Sequence, residues 1–221
     1  LKRSLPTWIG THPRVDDIVV VDWSSTPPLH EDPQFRDLAS RGLIKIVRVE
    51  GEKFYSVAKS CNLAFRYTNP KNKILLKLDC DLVLRNPSWL DRIVVGDDGN
   101  LERYCVTGHH FFSKSLTGLA LFNKEHFVWY NENIEDYGYE DIDLYKRIVS
   151  RHGLVEIIFF NVEDYVYHIP HSDEKRSEHY KNRDILFTNL RNMMIDSNFS
   201  VSEYRKISEG EGIVFVERIV D

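Results

Sequence analysis

The stretch Ile74-Leu75-Leu76-Lys77-Leu78-Asp79-Cys80-Asp81 joins an apolar run directly to two carboxylates. A short run of this kind predicts a buried strand. Because open α/β sheets bind ligands at the carboxyl ends of their strands, Asp79 and Asp81 are expected at the ligand-binding edge. Carboxylates on a rigid strand end suit Mg²⁺ or Mn²⁺ bridging a diphosphate, although an isolated pair with this spacing is more often a solvated turn.

Strands and helices alternate on both sides of this stretch. Apolar runs predict strands at residues 18–21, 43–49, 118–122 and 154–160, and helical patterns cover residues 35–41, 56–67, 139–151 and 174–194. A hairpin is expected within residues 93–106, and a last edge strand at residues 213–220. The alternation indicates an α/β fold with a mainly parallel central sheet flanked by helices. No linker or repeat interrupts the chain, so we expect a single domain over residues 1–221.

Charge and cysteine content restrict the function and the compartment. The formal net charge of -5 argues against a nucleic-acid partner, because surfaces that bind nucleic acid are usually basic. Cys61, Cys80 and Cys105 lack a short metal-ligand spacing, and their odd number predicts reduced thiols and a cytoplasmic location. No apolar run approaches the roughly 18 residues that span a bilayer, so no transmembrane segment is predicted, while association with the inner membrane face stays open.

The segment His168-Ile169-Pro170-His171-Ser172 contains a second candidate metal motif. Two imidazoles three residues apart around a proline can converge on one ion, and imidazole suits Mn²⁺ or Zn²⁺ better than Mg²⁺. The alternative is that both histidines are ordinary surface residues.

An acidic cluster, Tyr139-Glu140-Asp141-Ile142-Asp143, opens the helix predicted at residues 139–151. Carboxylates at a helix start interact favourably with the helix dipole, which by itself explains Glu140 and Asp141. The functional alternative is that one carboxylate is a general base for an acceptor hydroxyl and another binds the acceptor. Gly138, just before the cluster, would allow close approach of a ligand.

Asp22 and Trp23 follow the first predicted strand. A carboxylate at a strand end can accept a hydrogen bond from a base or ribose, and an indole can stack on a base or sugar. A strand-end turn with a half-buried tryptophan explains the pair equally well.

Taken in order, Asp22-Trp23-Ser24-Ser25, Asp79-Cys80-Asp81, the acidic cluster and His168-Ile169-Pro170-His171-Ser172 resemble the motifs of inverting GT-A glycosyltransferases. The likeness is to the β-1,4-galactosyltransferases and the bacterial chondroitin polymerases, and it covers roughly residues 1–181. Residues 118–127 resemble that family's segment between the metal motif and the acidic helix. Each motif is weak alone, but their joint order and spacing are specific.

The resemblance implies a GT-A nucleotide-diphospho-sugar transferase fold, with a nucleotide-binding half near residues 1–85 and an acceptor half near residues 86–221. It implies sugar transfer with inversion from a nucleotide-sugar, in particular a UDP-sugar, to a glycan or other hydroxyl acceptor, with Mn²⁺ or Mg²⁺ as cofactor. The site residues that it implies are Asp141 as base, Glu140 and Tyr139 at the acceptor, Asp22, Trp23, Asn62 and Asp79 at the donor, and Asp81, His168 and His171 at the metal.

The chain departs from the family's pattern at three places. Ser60-Cys61-Asn62 stands where the family has an Ala-Arg-Asn-like triplet, so the arginine is absent. Tyr139 replaces a glycine of the galactosyltransferases, which would reshape the acceptor pocket. The family's first nucleotide-binding strand precedes a segment like Leu5-Pro6-Thr7-Trp8, so we expect that strand to be missing from the given chain.

Three other classes of protein stay open. A nucleotidyltransferase shares the nucleotide-binding half but usually carries a Gly-rich phosphate loop near its start, which is not seen here. A non-catalytic sugar-binding or nucleotide-binding module would bind metal and ligand without turnover. A metallohydrolase can be built from Asp79, Asp81, His168 and His171, because carboxylates and imidazoles also form hydrolytic sites.

Overall fold

A computed structural model describes most of the chain. The described residues are 1–11, 15–92, 95–102, 105–109, 116–135, 138–152, 158–161, 165–171, 192 and 199–219. Within these ranges the named helices are α1 Leu5–Ile9, α2 Pro33–Ser40, α3 Val57–Arg66 and α4 Glu140–His152. The strands are β1 Val19–Trp23, β2 Lys45–Glu50, β3 Ile74–Leu78, β4 Leu82–Leu84, β5 Cys105–His109, β6 Leu116–Asn123, β7 Ile158–Asn161, β8 Val166–His168, β9 Tyr204–Gly210 and β10 Ile213–Arg218.

The chain forms two compact units built from interleaved segments. Unit 1 contains Leu1–Asp16, Pro70–Val128 and Tyr145–His171, and unit 2 contains Asp17–Asn69, Trp129–Leu144 and Ser172–Asp221. Segments from both predicted halves occur in each unit, and the division into a nucleotide-binding half and an acceptor half near residue 85 stays a prediction. The single domain over residues 1–221 stays a prediction.

Unit 2 contains a four-stranded sheet in the order β1-β2-β10-β9. The pairs β1·β2 and β2·β10 are parallel, while β10·β9 is antiparallel. The turn between β9 and β10 has positive φ at Glu211 and Gly212, which is the geometry of tight antiparallel hairpins. Apolar residues of β2, α3 and β10 form one buried cluster, namely Val47, Val49, Leu63, Val214 and Val216.

The C-terminal strand differs from its prediction as an edge strand. β10 lies between β2 and β9, and Val214 and Val216 are fully buried. On this side of the sheet the outer strand is β9, whose residues are mostly exposed and include charged side chains such as Lys206 and Glu209. Charged side chains on an outer strand discourage pairing with another chain.

Unit 1 contains one sheet in the order β3-β6-β5-β7 and a two-stranded ribbon, β4-β8. The strand before Asp79 pairs antiparallel with β6, from Ile74 opposite Asn123 to Leu78 opposite Leu119. β5 is antiparallel to β6 and parallel to β7. Over the described residues the sheets are therefore mixed, whereas a mainly parallel sheet was predicted.

Two local predictions have different outcomes. Of the hairpin expected within residues 93–106, residues 93–94 and 103–104 lie outside the described residues, and the described part contains an antiparallel bridge between Val95 and Leu101. The Cys105–His109 strand pairs with β6 and β7. The helix predicted at residues 174–194 lies almost entirely outside the described residues.

No helix in the described ranges has the length and apolar content that crossing a bilayer requires.

Candidate functional site

The ribbon β4-β8 places two histidines beside Asp81. Leu82, the residue after Asp81, is paired with His168 across the ribbon, and the backbone N–H of Ile169 donates to the Asp81 carbonyl at 2.9 Å. The Oδ2 atom of Asp81 lies 3.2 Å from Nε2 of His168 and 3.0 Å from Nε2 of His171. The structure therefore brings together the three side chains that were predicted as metal ligands.

The geometry of Asp81, His168 and His171 fits a divalent cation. One ligand atom from each residue lies within 4.8 Å of the others. Within the described residues, Oδ1 of Asp81 is buried and has no hydrogen-bond partner, which is unusual for a buried carboxylate oxygen. A donor set of one carboxylate and two imidazoles suits Mn²⁺ better than Mg²⁺, which prefers oxygen ligands.

Asp79 has different surroundings from Asp81. Its Oδ1 atom lies 3.1 Å from Nζ of Lys77, and its backbone N–H donates to the Gly118 carbonyl at 2.9 Å. It is not part of the three-residue group. The two aspartates of the motif therefore differ in their partners, which is compatible with the predicted division into a donor contact at Asp79 and a metal ligand at Asp81.

Gly118 leaves the space that the Asp79 carboxylate occupies. A Cβ atom at position 118 would lie 2.5 Å from Oδ2 and 2.9 Å from Cγ of Asp79, closer than real Cβ contacts allow. The absence of a side chain at Gly118 is thus a condition for the observed position of Asp79.

We expect Gly118→Ala to displace the Asp79 carboxylate. If the chain binds UDP with Mn²⁺, as the sequence resemblance implies, the variant should bind UDP about tenfold more weakly or worse, the usual cost of disturbing the surroundings of a metal site. Isothermal calorimetry measures the affinity. Gly210→Ala is the matched control, because a Cβ there meets no atom within 4 Å. Equal UDP affinity in Gly118→Ala and the control would show that UDP binding does not depend on the position of the Asp79 carboxylate.

Asp22 is buried and its carboxylate is saturated by donors from the same chain. Oδ1 accepts from the backbone N–H and the hydroxyl of Ser25, and Oδ2 accepts from the Leu29 N–H at 2.9 Å and from Nη1 of Arg48 at 3.0 Å. Desolvation lowers the pKa of Arg48, but the hydrogen bonds and charges of Glu50 and Asp22 outweigh it and raise that pKa above its ordinary value. For Asp22 to accept a hydrogen bond from a bound nucleotide-sugar, one of these four contacts would have to break.

Trp23 is also engaged within unit 2. Its indole N–H donates to the Phe54 carbonyl at 2.8 Å, and its ring makes edge contacts with Tyr55 and Tyr204. Phe54 and Tyr55 are exposed aromatic residues beside it. The donor contacts of Asp22 and Trp23 stay predictions, and stacking rather than hydrogen bonding is the contact that Trp23 can offer.

Asn62 is buried on α3, and both polar atoms of its side-chain amide form hydrogen bonds within unit 2. Its Nδ2 donates to the Tyr130 carbonyl at 3.0 Å and to Oε1 of Glu132 at 2.8 Å, and its Oδ1 accepts from the Tyr130 N–H at 2.8 Å. A contact of Asn62 with a nucleotide-sugar, as predicted, would therefore compete with three existing hydrogen bonds within the protein. Tyr130 and Glu132 were not singled out from the sequence, because no local pattern relates them to α3.

The acidic cluster opens α4 as predicted, but its side chains are buried. Glu140, Asp141 and Asp143 are 5%, 6% and 3% exposed. Burial of carboxylates is costly unless they are partnered, so a simple surface interaction with the helix dipole does not account for all three. The Tyr130 hydroxyl donates to Oδ1 of Asp141 at 3.1 Å.

The backbone before Glu140 has an uncommon conformation. Gly138 has a φ of 100° and Tyr139 a φ of 72°, and the Tyr139 carbonyl accepts the Asp143 N–H at 2.9 Å. A positive φ is unfavourable for a bulky residue such as tyrosine and is readily adopted by glycine. Tyr139 is half-buried, and its predicted acceptor contact stays a prediction.

Each unit therefore contains some of the predicted site residues. Unit 1 contains Asp79, Asp81, His168 and His171, and unit 2 contains Asp22, Trp23, Asn62, Tyr139, Glu140 and Asp141.

Comparison with solved structures identifies the fold as that of the GT-A glycosyltransferases, which confirms the predicted fold. No protein-family profile matches the sequence, and a search among curated proteins found no match.

Two of the similar structures are enzymes from different organisms. The catalytic domain of Drosophila β1,4-galactosyltransferase 7 in complex with xylobiose has a TM-score of 0.61 and 14% identity, covering 94% of this chain and 96% of that chain. Glucosyl-3-phosphoglycerate synthase from Mycobacterium tuberculosis, in complex with Mn²⁺, UDP and phosphoglyceric acid, has a TM-score of 0.60 and 16% identity, covering 91% of this chain and 78% of that chain. At such identities the similarity establishes the fold.

Proposed function

We propose that this protein is a metal-dependent glycosyltransferase that moves a sugar from a nucleotide-sugar, of the UDP-sugar class, to an acceptor hydroxyl with inversion. The observation that carries the proposal is the group of Asp81, which follows β3, with His168 and His171 at the end of β8, on a GT-A fold. Two similar structures support the ligand classes. A variant of the Drosophila enzyme is described with manganese, UDP-Gal and xylobiose, and the mycobacterial synthase with Mn²⁺ and UDP.

Asp81, His168 and His171 would hold the cation, with Mn²⁺ as the better fit and Mg²⁺ as the alternative. When bound, the cation supplies positive charge that stabilises the departing diphosphate, so the leaving group needs no acid from the protein. Asp79 would contact the donor, held in place by Lys77 and by the space at Gly118. Asp22, Trp23 and Asn62 remain proposed donor residues, with Asp22 and Asn62 acting through the backbone segments that they hold.

Asp141 would act as the general base. It accepts the proton of the acceptor hydroxyl while that oxygen bonds to the anomeric carbon and the bond from this carbon to the phosphate oxygen breaks. Attack opposite to the leaving group inverts the anomeric configuration. Glu140 and Tyr139 would bind the acceptor, and the positive φ of Tyr139 would set the direction of its side chain.

A donor panel tests the proposal. The protein is incubated with UDP-sugars and GDP-sugars, with and without Mn²⁺ and with xylobiose or simple alcohols as acceptors, and nucleotide release is recorded. We expect release from a UDP-sugar that depends on Mn²⁺ and rises with acceptor, and NMR of the product should show the inverted anomer. Binding of UDP and Mn²⁺ without turnover of any donor would indicate a non-catalytic module, and Mn²⁺-dependent hydrolysis of phosphate esters would indicate a metallohydrolase.

A further inference from the structure

Among the residues that the structure describes, Tyr130 is the largest fully buried side chain, with 2% exposure, and it is polar at its tip. A buried tyrosine that only fills space could equally be phenylalanine. Here the hydroxyl donates to Oδ1 of Asp141 at 3.1 Å, which directs the one polar atom of the side chain to the proposed base. The contact joins residues 11 positions apart, so the helix geometry of α4 does not produce it.

Helix α3 holds the backbone of Tyr130 in place. Asn62 donates to the Tyr130 carbonyl and accepts from the Tyr130 N–H, so both backbone groups of the tyrosine are bound by one side chain. The preceding residue, Trp129, packs its ring against Phe65 at a centroid distance of 5.1 Å and lies under the Arg66 guanidinium. Three side chains of α3 therefore fix this short segment.

The following residues are held as well. Glu132 accepts from Nδ2 of Asn62 at 2.8 Å through Oε1, and from the Ser202 N–H at 2.9 Å through Oε2. Contacts on both sides of Tyr130 leave its ring little freedom to move, because buried side chains with satisfied polar neighbours are rigid. The direction of the Tyr130 hydroxyl is therefore set by the contacts that hold the segment around Tyr130.

We propose that Tyr130, anchored by Asn62, is a positioning residue for Asp141. This inference rests on the proposed function, in which Asp141 takes the acceptor proton. A hydroxyl that donates to one carboxylate oxygen fixes the rotation of the carboxyl group and stabilises its ionised form, which is the form that accepts a proton. The buried hydrogen bond between Tyr130 and Asp141 is the contact that carries this role.

Tyr130→Phe removes the hydroxyl and keeps the ring. We expect kcat for sugar transfer to fall about 10-fold to 100-fold, as for loss of a hydrogen bond to a charged group. The KM for donor and the Mn²⁺ affinity should be unchanged, because neither depends on the base. Tyr67→Phe is the matched control, since Tyr67 is a partly buried tyrosine packed against the apolar cluster of unit 2. An unchanged kcat in Tyr130→Phe, with Asp141→Asn inactive, would overturn the inference and leave the proposed function intact.

The double variant separates positioning from a general structural effect. If Tyr130 acts through Asp141, adding Tyr130→Phe to Asp141→Asn should change the residual rate by less than about twofold, because residues that act as a unit are not additive. A further 10-fold to 100-fold loss would show that Tyr130 acts independently and would overturn the inference. An Asp141→Asn variant with wild-type rate would overturn both the base assignment and the role of Tyr130.

Discussion

Asp141→Asn is expected to reduce the rate of sugar transfer by about 10²-fold to 10⁴-fold, the usual cost of removing a general base. Asparagine keeps the shape of the side chain and can still contact Tyr130, but it cannot accept the proton of the acceptor hydroxyl. Binding of UDP and Mn²⁺ should be retained, because the proposed metal ligands lie elsewhere in the chain. Transfer is measured at saturating donor and acceptor, and binding by calorimetry.

Two neighbouring carboxylates provide controls for Asp141. Glu140→Gln should mainly raise the KM for the acceptor, and Asp143→Asn should act mildly through the start of α4. All three residues are similarly buried at the same helix end, so a general effect of lost charge would appear in each variant. A rate for Asp141→Asn within a few-fold of wild type would remove Asp141 from the role of base.

Asp81→Ala and His171→Ala are each expected to weaken Mn²⁺-dependent UDP binding by at least about 100-fold, more than loss of a residue that only supports a ligand. The two side chains approach each other to 3.0 Å, so each variant removes a donor from the same group. The fold should be kept, because His171 is only partly buried and Asp81 leaves one oxygen without a hydrogen-bond partner among the described residues. Calorimetric titration of UDP with Mn²⁺, and of Mn²⁺ alone, measures both affinities.

Asp37→Ala is the matched control for the metal site. Asp37 is an exposed carboxylate that pairs with Arg41 on α2, and its removal tests whether any lost acidic group weakens Mn²⁺ binding. Donor and Mn²⁺ binding in Asp81→Ala and His171→Ala equal to that of the control would refute the assignment of both ligands.

The resemblance of the sequence motifs to the GT-A glycosyltransferases predicted the fold, and local order in the sequence predicted two features of the proposed site. The apolar run before Asp79 predicted a strand that ends at the motif, and β3 Ile74–Leu78 ends there. The spacing of His168 and His171 around a proline predicted convergence, and both imidazoles contact Asp81. The end of β3 and the spacing of the two histidines are set by neighbouring residues, whereas the approach of the histidines to Asp81 depends on the pairing of β4 with β8.

Only the tertiary structure decided which polar side chains already form hydrogen bonds within the protein. Asp22 was predicted to contact the sugar-nucleotide donor from its place at a strand end, and Asn62 from the family resemblance. Asp22 instead binds Arg48, 26 residues away, in addition to nearby backbone and hydroxyl groups, and Asn62 binds Tyr130, 68 residues away. Such partners depend on which segments meet after folding, and no local pattern encodes that meeting. Burial of Asp141 and its contact with Tyr130 also arise only in the fold, because exposure depends on what packs against a helix and not on its own sequence.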